Sequence, residues 1–196
     1  MNEARRFALL DRDGTINTEV DHLSHPDELV LIPGSAAAIR RLREDIGLGI
    51  VVVTNQANVG RGVISAEQLD AIHGRLRSML AAEGAVLDAI LACPHAPEDE
   101  CACRKPRPGM ALEAADRFGF DPADSFVVGD HAGDVGMGRA IGATTFLVMT
   151  GHGPAELERA GDDADHVVPD LAAAADIIAG LVTGESDTHR PREATT

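Results

Sequence analysis

Phe7-Ala8-Leu9-Leu10-Asp11-Arg12-Asp13-Gly14-Thr15 is an apolar run that halts on two carboxylates one residue apart, followed at once by a turn-forming glycine. Apolar residues ahead of a turn signal read as a short strand buried on both faces, the form strands take in a parallel sheet covered by helices. Two carboxylates brought to one mouth repel each other, and a fold tolerates this mainly where a metal cation or a reacting phosphorus needs them. The stretch therefore points to phosphoryl chemistry. Asp11 is the candidate nucleophile, and Asp13 is placed to protonate the leaving oxygen and then to activate water against an aspartyl-phosphate. Gly14 lets the backbone turn sharply, and the Thr15 hydroxyl can hold Asp13 in place. Read alone, these residues would also suit a solvated Asp-Gly turn.

Three further segments supply the remaining parts in a workable order. Ile50-Val51-Val52-Val53-Thr54-Asn55-Gln56 is a β-branched strand that delivers a hydroxyl and two amides to its carboxyl end, where ligands sit in open α/β sheets. Arg104-Lys105-Pro106-Arg107-Pro108-Gly109 is a basic loop, and Phe126-Val127-Val128-Gly129-Asp130, with Asp134 beyond it, is another strand ending in carboxylate. The rest alternates between strand and helix. Pro33-Gly34-Ser35 opens a helix to about Ile46; Ser65 to Gln68 is a capping box ahead of Leu69, Ile72, Leu76, Met79 and Leu80 at helical spacing, read here as core alone. Strands are expected at Asp88 to Ala92, Thr144 to Met149 and around Val167, and helices at Gly109 to Phe118, Asp134 to Ile141 and Leu171 to Leu181. Such alternation predicts a three-layer, Rossmann-like α/β fold with a central parallel sheet.

These motifs resemble the haloacid dehalogenase superfamily of aspartate-nucleophile phosphotransferases. The matching residues are Leu10 to Asn17, Val53 to Gln56 with Gly60-Arg61-Gly62, Cys93-Pro94-His95 with Cys101 to Pro106, and Val128-Gly129-Asp130. Within the superfamily the chain is similar to the branch of heptose bisphosphate and histidinol-phosphate phosphatases, from about Phe7 to Leu181. The resemblance implies removal of the C7 phosphate of D-glycero-D-manno-heptose 1,7-bisphosphate, with histidinol phosphate or another small sugar phosphate as the alternative. It also implies a zinc-bound loop beside the active site.

Lysine usage speaks independently. Of 17 Lys plus Arg, only Lys105 is lysine, and it stands where a compact ammonium could lie between a carboxylate and phosphoryl oxygens. Arg104 could clamp a phosphate bidentately. All 3 cysteines fall between positions 93 and 103, a clustering that random placement would produce about one time in a hundred. With His95, Cys93, Cys101 and Cys103 make a Cys-x-His-x5-Cys-x-Cys set able to close a tetrahedron around Zn2+. Four protein ligands leave no open position, so that metal would be structural and would pin Arg104 and Lys105. Mg2+ prefers oxygen ligands, for which Asp11, the backbone carbonyl of Asp13 and Asp130 are the candidates. Asp134 would support that shell or orient Lys105. Thr54, Asn55, Gln56, Arg61, Arg104 and Lys105 are the expected phosphate and substrate contacts.

Composition narrows the remaining choices. A chain of 196 residues with 44% hydrophobic content can bury a proper core but leaves little room for a second domain, so 1–182 reads as one phosphatase domain and 183–196 as a disordered polar tail. A net charge of −15 and 3% aromatic content argue against nucleic acid as partner. No run approaches a membrane span, and the odd thiol count suits a reducing cytoplasm. A monomer acting on a small phosphorylated sugar is the expected partnership. Residues 18–32 are too few for a cap domain, so loops carrying Asn17, His22, His25 and Asn55 to Gly62 should roof the site. Arg61, Arg104 and Arg107 are candidates for a distal phosphate; His131 is left open, and His152, His166 and His189 are given no role. A dehalogenase would not need Asp13, a phospho-accepting signalling domain would keep its phosphate, and a zinc-loop interaction module would not explain the strand-end carboxylates.

Overall fold

The computed structural model describes residues 5–20 and 23–184. Its strands are β1 (Phe7–Leu10), β2 (Gly49–Asn55), β3 (Ala89–Cys93), β4 (Phe126–Gly129), β5 (Thr144–Val148) and β6 (His166–Val168). Helices α1 (Ser35–Glu44), α2 (Ala57–Gly60), α3 (Ala66–Ala82), α4 (Gly109–Phe118), α5 (Ala132–Ile141), α6 (Gly153–Ala160) and α7 (Leu171–Thr183) lie between and after them. All strand pairs are parallel, and the six-stranded sheet runs β3-β2-β1-β4-β5-β6. This is the three-layer α/β arrangement expected from the alternation.

The central strands β1, β2 and β4 feed two cores, because successive side chains point to opposite faces. Ala8, Leu10, Ile50 and Val52 enter one layer with Ile39 and Leu42 of α1, Ile72 and Leu76 of α3, and Ala174 and Ile178 of α7. Phe7, Leu9, Val51 and Val53 enter the other with Met110 and Ala114 of α4 and Met137 of α5. Burial on both faces explains why these strands read as continuous apolar runs.

The chain leaves β1 for β2 and β3 on one side, then returns to place β4, β5 and β6 on the other. The carboxyl ends of β1 and β4 thus flank the switch point where such sheets bind ligands. Leu10 is in register with Val128, and the Asp11 amide donates to the Val128 carbonyl at 2.9 Å, so Asp11 and Asp130 emerge side by side. Gly14 has φ +75, and a Cβ there would overlap the Asp130 carboxylate; glycine is required by conformation and by space.

The expected capping box closes at the start of α3, with Gln68 N donating to Ser65 Oγ and Ser65 N to Gln68 Oε1. Two helices were not legible in the sequence. α2 has four residues and no room for a periodicity, and α6 buries only Gly153, Glu156 and Ala160, so it carries no large apolar stripe. The described part of 18–32 holds one 3-10 turn, Pro26–Glu28, and no separate cap domain. His22 and His189 lie outside the described residues, as does the expected tail beyond Gly184; its first position, Thr183, ends α7. Among the described residues no helix is long and apolar enough to cross a membrane.

Leu10→Ala removes a fully buried side chain at the centre of the sheet and should cost about 2–5 kcal/mol. Leu112→Ala, at a position 47% exposed, should stay within about 0.5 kcal/mol. Urea unfolding of the two variants checks the contrast.

Candidate active site

Asp11, Asp130 and Asp134 bring carboxylate oxygens within 4.8 Å of one another at the ends of β1 and β4 and the first turn of α5. Lys105 reaches into this group from the loop before α4, its Nζ 2.8 Å from Asp11 Oδ1 and 2.5 Å from Asp134 Oδ1, with a third bond to the Val53 carbonyl at 2.8 Å. Burial alone would lower the lysine pKa, but the Asp11 and Asp134 charges outweigh it and hold the ammonium above the usual lysine range. Asp11 is pushed up to about 6, chiefly by burial, with Lys105 opposing and Asp134 adding. Asp130 rises to about 8, by burial first and the Asp11 charge next.

The Lys105 backbone is fixed as firmly as its side chain. The Asn55 amide bonds it twice, accepting from Lys105 N at 3.1 Å and donating to Lys105 O at 3.2 Å. Asn55, expected to contact phosphate, lines the cleft but commits its polar atoms to the lysine. Both oxygens of Asp134 are likewise committed, one to Lys105 and the other to the His131 amide at 3.1 Å. All-oxygen donors suit Mg2+, and this leaves Asp11 and Asp130 with free lone pairs for it.

Asp13 sits in a nest of donors. Arg12 Nε and Nη2 fork onto its two oxygens at 3.0 and 2.6 Å, Asn17 Nδ2 donates at 2.9 Å and Gln56 Nε2 at 3.0 Å. Burial would raise this carboxyl, yet Arg12 and the amides bring it below the ordinary aspartate value. Two sequence expectations are corrected here. Thr15 Oγ1 is buried with no partner among the described residues, so Arg12, Asn17 and Gln56 hold Asp13 instead. Asn17 is fully buried beneath the site and is no part of a roof. Gln56 bonds Asp13 and, at 2.8 Å, the Thr54 hydroxyl; it lies outside the cleft around Asp11 but lines the hollow beside it.

The three sulfurs of Cys93, Cys101 and Cys103 stand 3.2–3.5 Å apart, with His95 Nδ1 at 3.3 Å from Cys103 and 3.7 Å from Cys93. Sulfur ligands 2.3 Å from a common zinc would stand about 3.8 Å apart, so the four residues can hold Zn2+ with slight expansion. Arg104 Nη1 donates to the His95 carbonyl and Arg107 Nη1 to the Cys101 carbonyl, tying the basic loop to this cluster. Gln56 N and Gly60 N donate to Cys93 O and Pro94 O, tying the cluster to the segment after β2.

Asp11, Lys105, Asp130 and Asp134 line a cleft of about 190 Å³ together with Thr54 and Arg104. A hollow of about 380 Å³ adjoins it, sharing Asp13 and Arg104 and adding Arg61 and Asn58. Arg61 is exposed and its nearest carboxylate, Glu98, is 4.0 Å away; Arg107 lines neither space. His25 caps the 3-10 turn through the Asp27 amide and also lies outside both.

Several participants escaped the sequence reading. His152, given no role there, lines the cleft, and its amide donates to Asp130 Oδ2 at 2.7 Å. Glu19 stands 3.9 Å from its ring. His131 caps α5 by accepting from the Gly133 amide and faces buried Glu156 at 3.6 Å. His73 of α3 stands behind Arg12, its Nε2 3.1 Å from Arg12 Nη1. No local spacing marks these residues; they come from loops, helix starts and the middle of α3, which the sheet order gathers at one end.

Strand-end carboxylates around a buried lysine, at the switch point of a doubly wound sheet, define the class: a haloacid-dehalogenase-like α/β hydrolase. A family model described as "HAD-hyrolase-like" matches residues 102–174. The D-glycero-beta-D-manno-heptose-1,7-bisphosphate 7-phosphatase of Bordetella bronchiseptica is 40% identical over 173 residues, 87% of this chain and 96% of that protein. The Pseudomonas aeruginosa protein of the same name is 39% identical over 173 residues, 88% of this chain and 97% of that one. A crystal structure of D,D-heptose 1.7-bisphosphate phosphatase from B. bronchiseptica, complexed with magnesium and phosphate, matches with a TM-score of 0.83 at 40% identity, covering 88% of this chain and 97% of that one. The chain belongs to the haloacid dehalogenase superfamily of phosphatases, in the branch of the heptose 1,7-bisphosphate 7-phosphatases.

The raised carboxyls carry a pH signature. Asp11 and Asp130 keep protons in the metal-free fold at pH values where the unfolded chain, with carboxyls near 3.8, has lost them. Their contribution to stability is full below 3.8 and is lost as pH rises through about 6 and then about 8. Metal-free protein should therefore melt at falling temperature between about pH 5 and pH 9. Mg2+ binds the ionised carboxylates, so it should raise Tm more at about pH 8 than at pH 5. Equal Tm shifts at both pH values would contradict this account.

Metal analysis of protein purified without added zinc should find about one Zn2+ per chain. Cys101→Ser should lower that content and, by loosening the loop, reduce phosphatase activity. Unchanged zinc in this variant would rule out the four-residue set.

Proposed function

We propose that this chain is a Mg2+-dependent phosphomonoesterase working through an aspartyl-phosphate on Asp11, with D-glycero-D-manno-heptose 1,7-bisphosphate as substrate and its C7 phosphate as the group removed. The observation that carries the reading is the contact of Lys105 with Asp11 at the switch-point cleft, beside Asp130. The names of the relatives, and the magnesium and phosphate in the B. bronchiseptica structure, support it.

In this reading an Asp11 oxygen attacks phosphorus while the departing sugar oxygen takes a proton from Asp13. Asp13, now a carboxylate, then takes a proton from water, whose oxygen attacks phosphorus and releases Asp11. Mg2+, held by Asp11, the Asp13 carbonyl and Asp130, would neutralise charge on the phosphoryl oxygens. Lys105 and the Thr54 hydroxyl would meet the same charge from the protein side. Zn2+ on Cys93, His95, Cys101 and Cys103 would be structural, keeping Arg104 and Lys105 in place. Arg61 and Arg104 would receive the second phosphate in the adjoining hollow, with no part for Arg107. The proposed setting is a monomer in the cytoplasm, where three cysteines without a disulfide suit reducing conditions.

Asp11→Asn should abolish turnover and leave no phosphoenzyme, and substantial activity in this variant would remove Asp11 from the mechanism. A phosphate-release screen should give a much higher kcat/KM for the heptose bisphosphate than for histidinol phosphate, which lacks a second anionic handle. Arg61→Ala should erode that preference by roughly 10- to 150-fold, corresponding to ~1.5–3 kcal/mol for a charged hydrogen bond. Preference for histidinol phosphate would reassign the substrate while leaving the phosphatase chemistry in place.

A further inference from the structure

His73 lies on α3 among Leu69, Ile72 and Leu76, residues that belong to the core. Its ring is half-buried, and Nε2 stands 3.1 Å from Arg12 Nη1. Arginine offers only donors and keeps its proton, so Nε2 must present its lone pair and the ring proton must sit on Nδ1. A neutral ring agrees with its surroundings: burial first, then the Arg12 charge, bring His73 down to about 4.

Arg12 is 1% exposed, and its other two nitrogens close the fork on Asp13. With Asn17 and Gln56 each Asp13 oxygen accepts two hydrogen bonds. Such a nest is complementary to a carboxylate and offers nothing to accept a carboxyl proton. A planar fork is only as well aimed as its free end, and His73 is the acceptor at that end.

The reaction proposed above uses Asp13 twice. It gives its proton to the leaving oxygen, and the carboxylate so formed takes one from the attacking water as the bond between phosphorus and Asp11 breaks. The nest fits the second of these states. We propose that His73 is a positioning residue for the hydrolytic half of the reaction, anchoring the Arg12 fork that receives Asp13 as a carboxylate and aims it at water. The inference rests on the assignment of Asp13 as acid and base.

p-Nitrophenyl phosphate isolates that half, because its aryl oxide departs without a proton. His73→Leu fills the space without an acceptor, and His73→Gln keeps one. Stopped-flow measurement of the Leu variant should show a p-nitrophenolate burst larger than in the unmodified protein. The steady rate that follows should be about 10-fold lower, less than the ~10²–10⁴-fold cost of losing the base altogether. His73→Gln should recover most of the steady rate and shrink the burst. Thermal unfolding tests whether each variant folds, and His73→Ala replaces the Leu variant if that one does not. Equal slowing of burst and steady phases, or Leu and Gln variants that behave alike, overturns the inference. Asp13→Asn is the reference: if it shows an enlarged burst and His73→Leu does not, only the role of His73 is wrong. If Asp13→Asn shows none either, the assignment of Asp13 fails and the inference with it.

Discussion

Lys105 between Asp11 and Asp134 is the interaction on which the site depends. Three carboxylates crowd the ends of two adjacent strands, and one buried ammonium is bonded to two of them. Removing one partner from such a group leaves an uncompensated buried charge, an arrangement proteins tolerate poorly. The surroundings of Lys105 follow from this need. Asn55 grips its backbone, the Val53 carbonyl takes a third ammonium proton, and the cluster of Cys93, His95, Cys101 and Cys103 is tied to the loop that carries it.

The sheet makes that crowding possible. β1 and β4 are neighbours in space although more than a hundred residues separate them in the chain, and their register sets Asp11 beside Asp130. Close approach also demands missing side chains. A Cβ at Gly14 would overlap Asp130, and one at Gly129 would overlap Asp134. The two apolar layers supply the rigidity that keeps carboxylates close despite their repulsion, with Leu9 and Leu10 at 0% exposure on opposite faces of the same strand.

Asp11 and Asp13 are two residues apart yet live in opposite electrostatic settings. Burial among other carboxylates raises Asp11, whereas the Arg12 fork and two amides lower Asp13. Neighbouring carboxyls with environments that separate their pKa values are suited to different roles in one reaction. The separation is made by Arg12, the residue between them, whose side chain is turned wholly toward Asp13 and His73.

Much of this was legible in the linear chain. The apolar run ending at Asp11, the run ending at Asp130, the lone Lys105 and the Cys-x-His-x5-Cys-x-Cys spacing are local patterns. Local patterns survive folding because strand alternation, helix caps and short ligand spacings are set within a few residues. The capping box at Ser65 and the span of α4 belong to the same kind. By contrast, α6 was hidden because its buried face is glycine, glutamate and alanine, and Thr15 was assigned to Asp13 on proximity in sequence alone. The partners actually found are distant: Arg12 with His73 across 61 positions, Asn55 with Lys105 across 50, Lys105 with Asp134 across 29. The sequence by itself determined which chemical groups are present and that they sit on strand ends of an α/β sheet. Only the tertiary structure decided which polar groups meet, since a polar pairing between distant segments has no periodicity and depends on strand order and register.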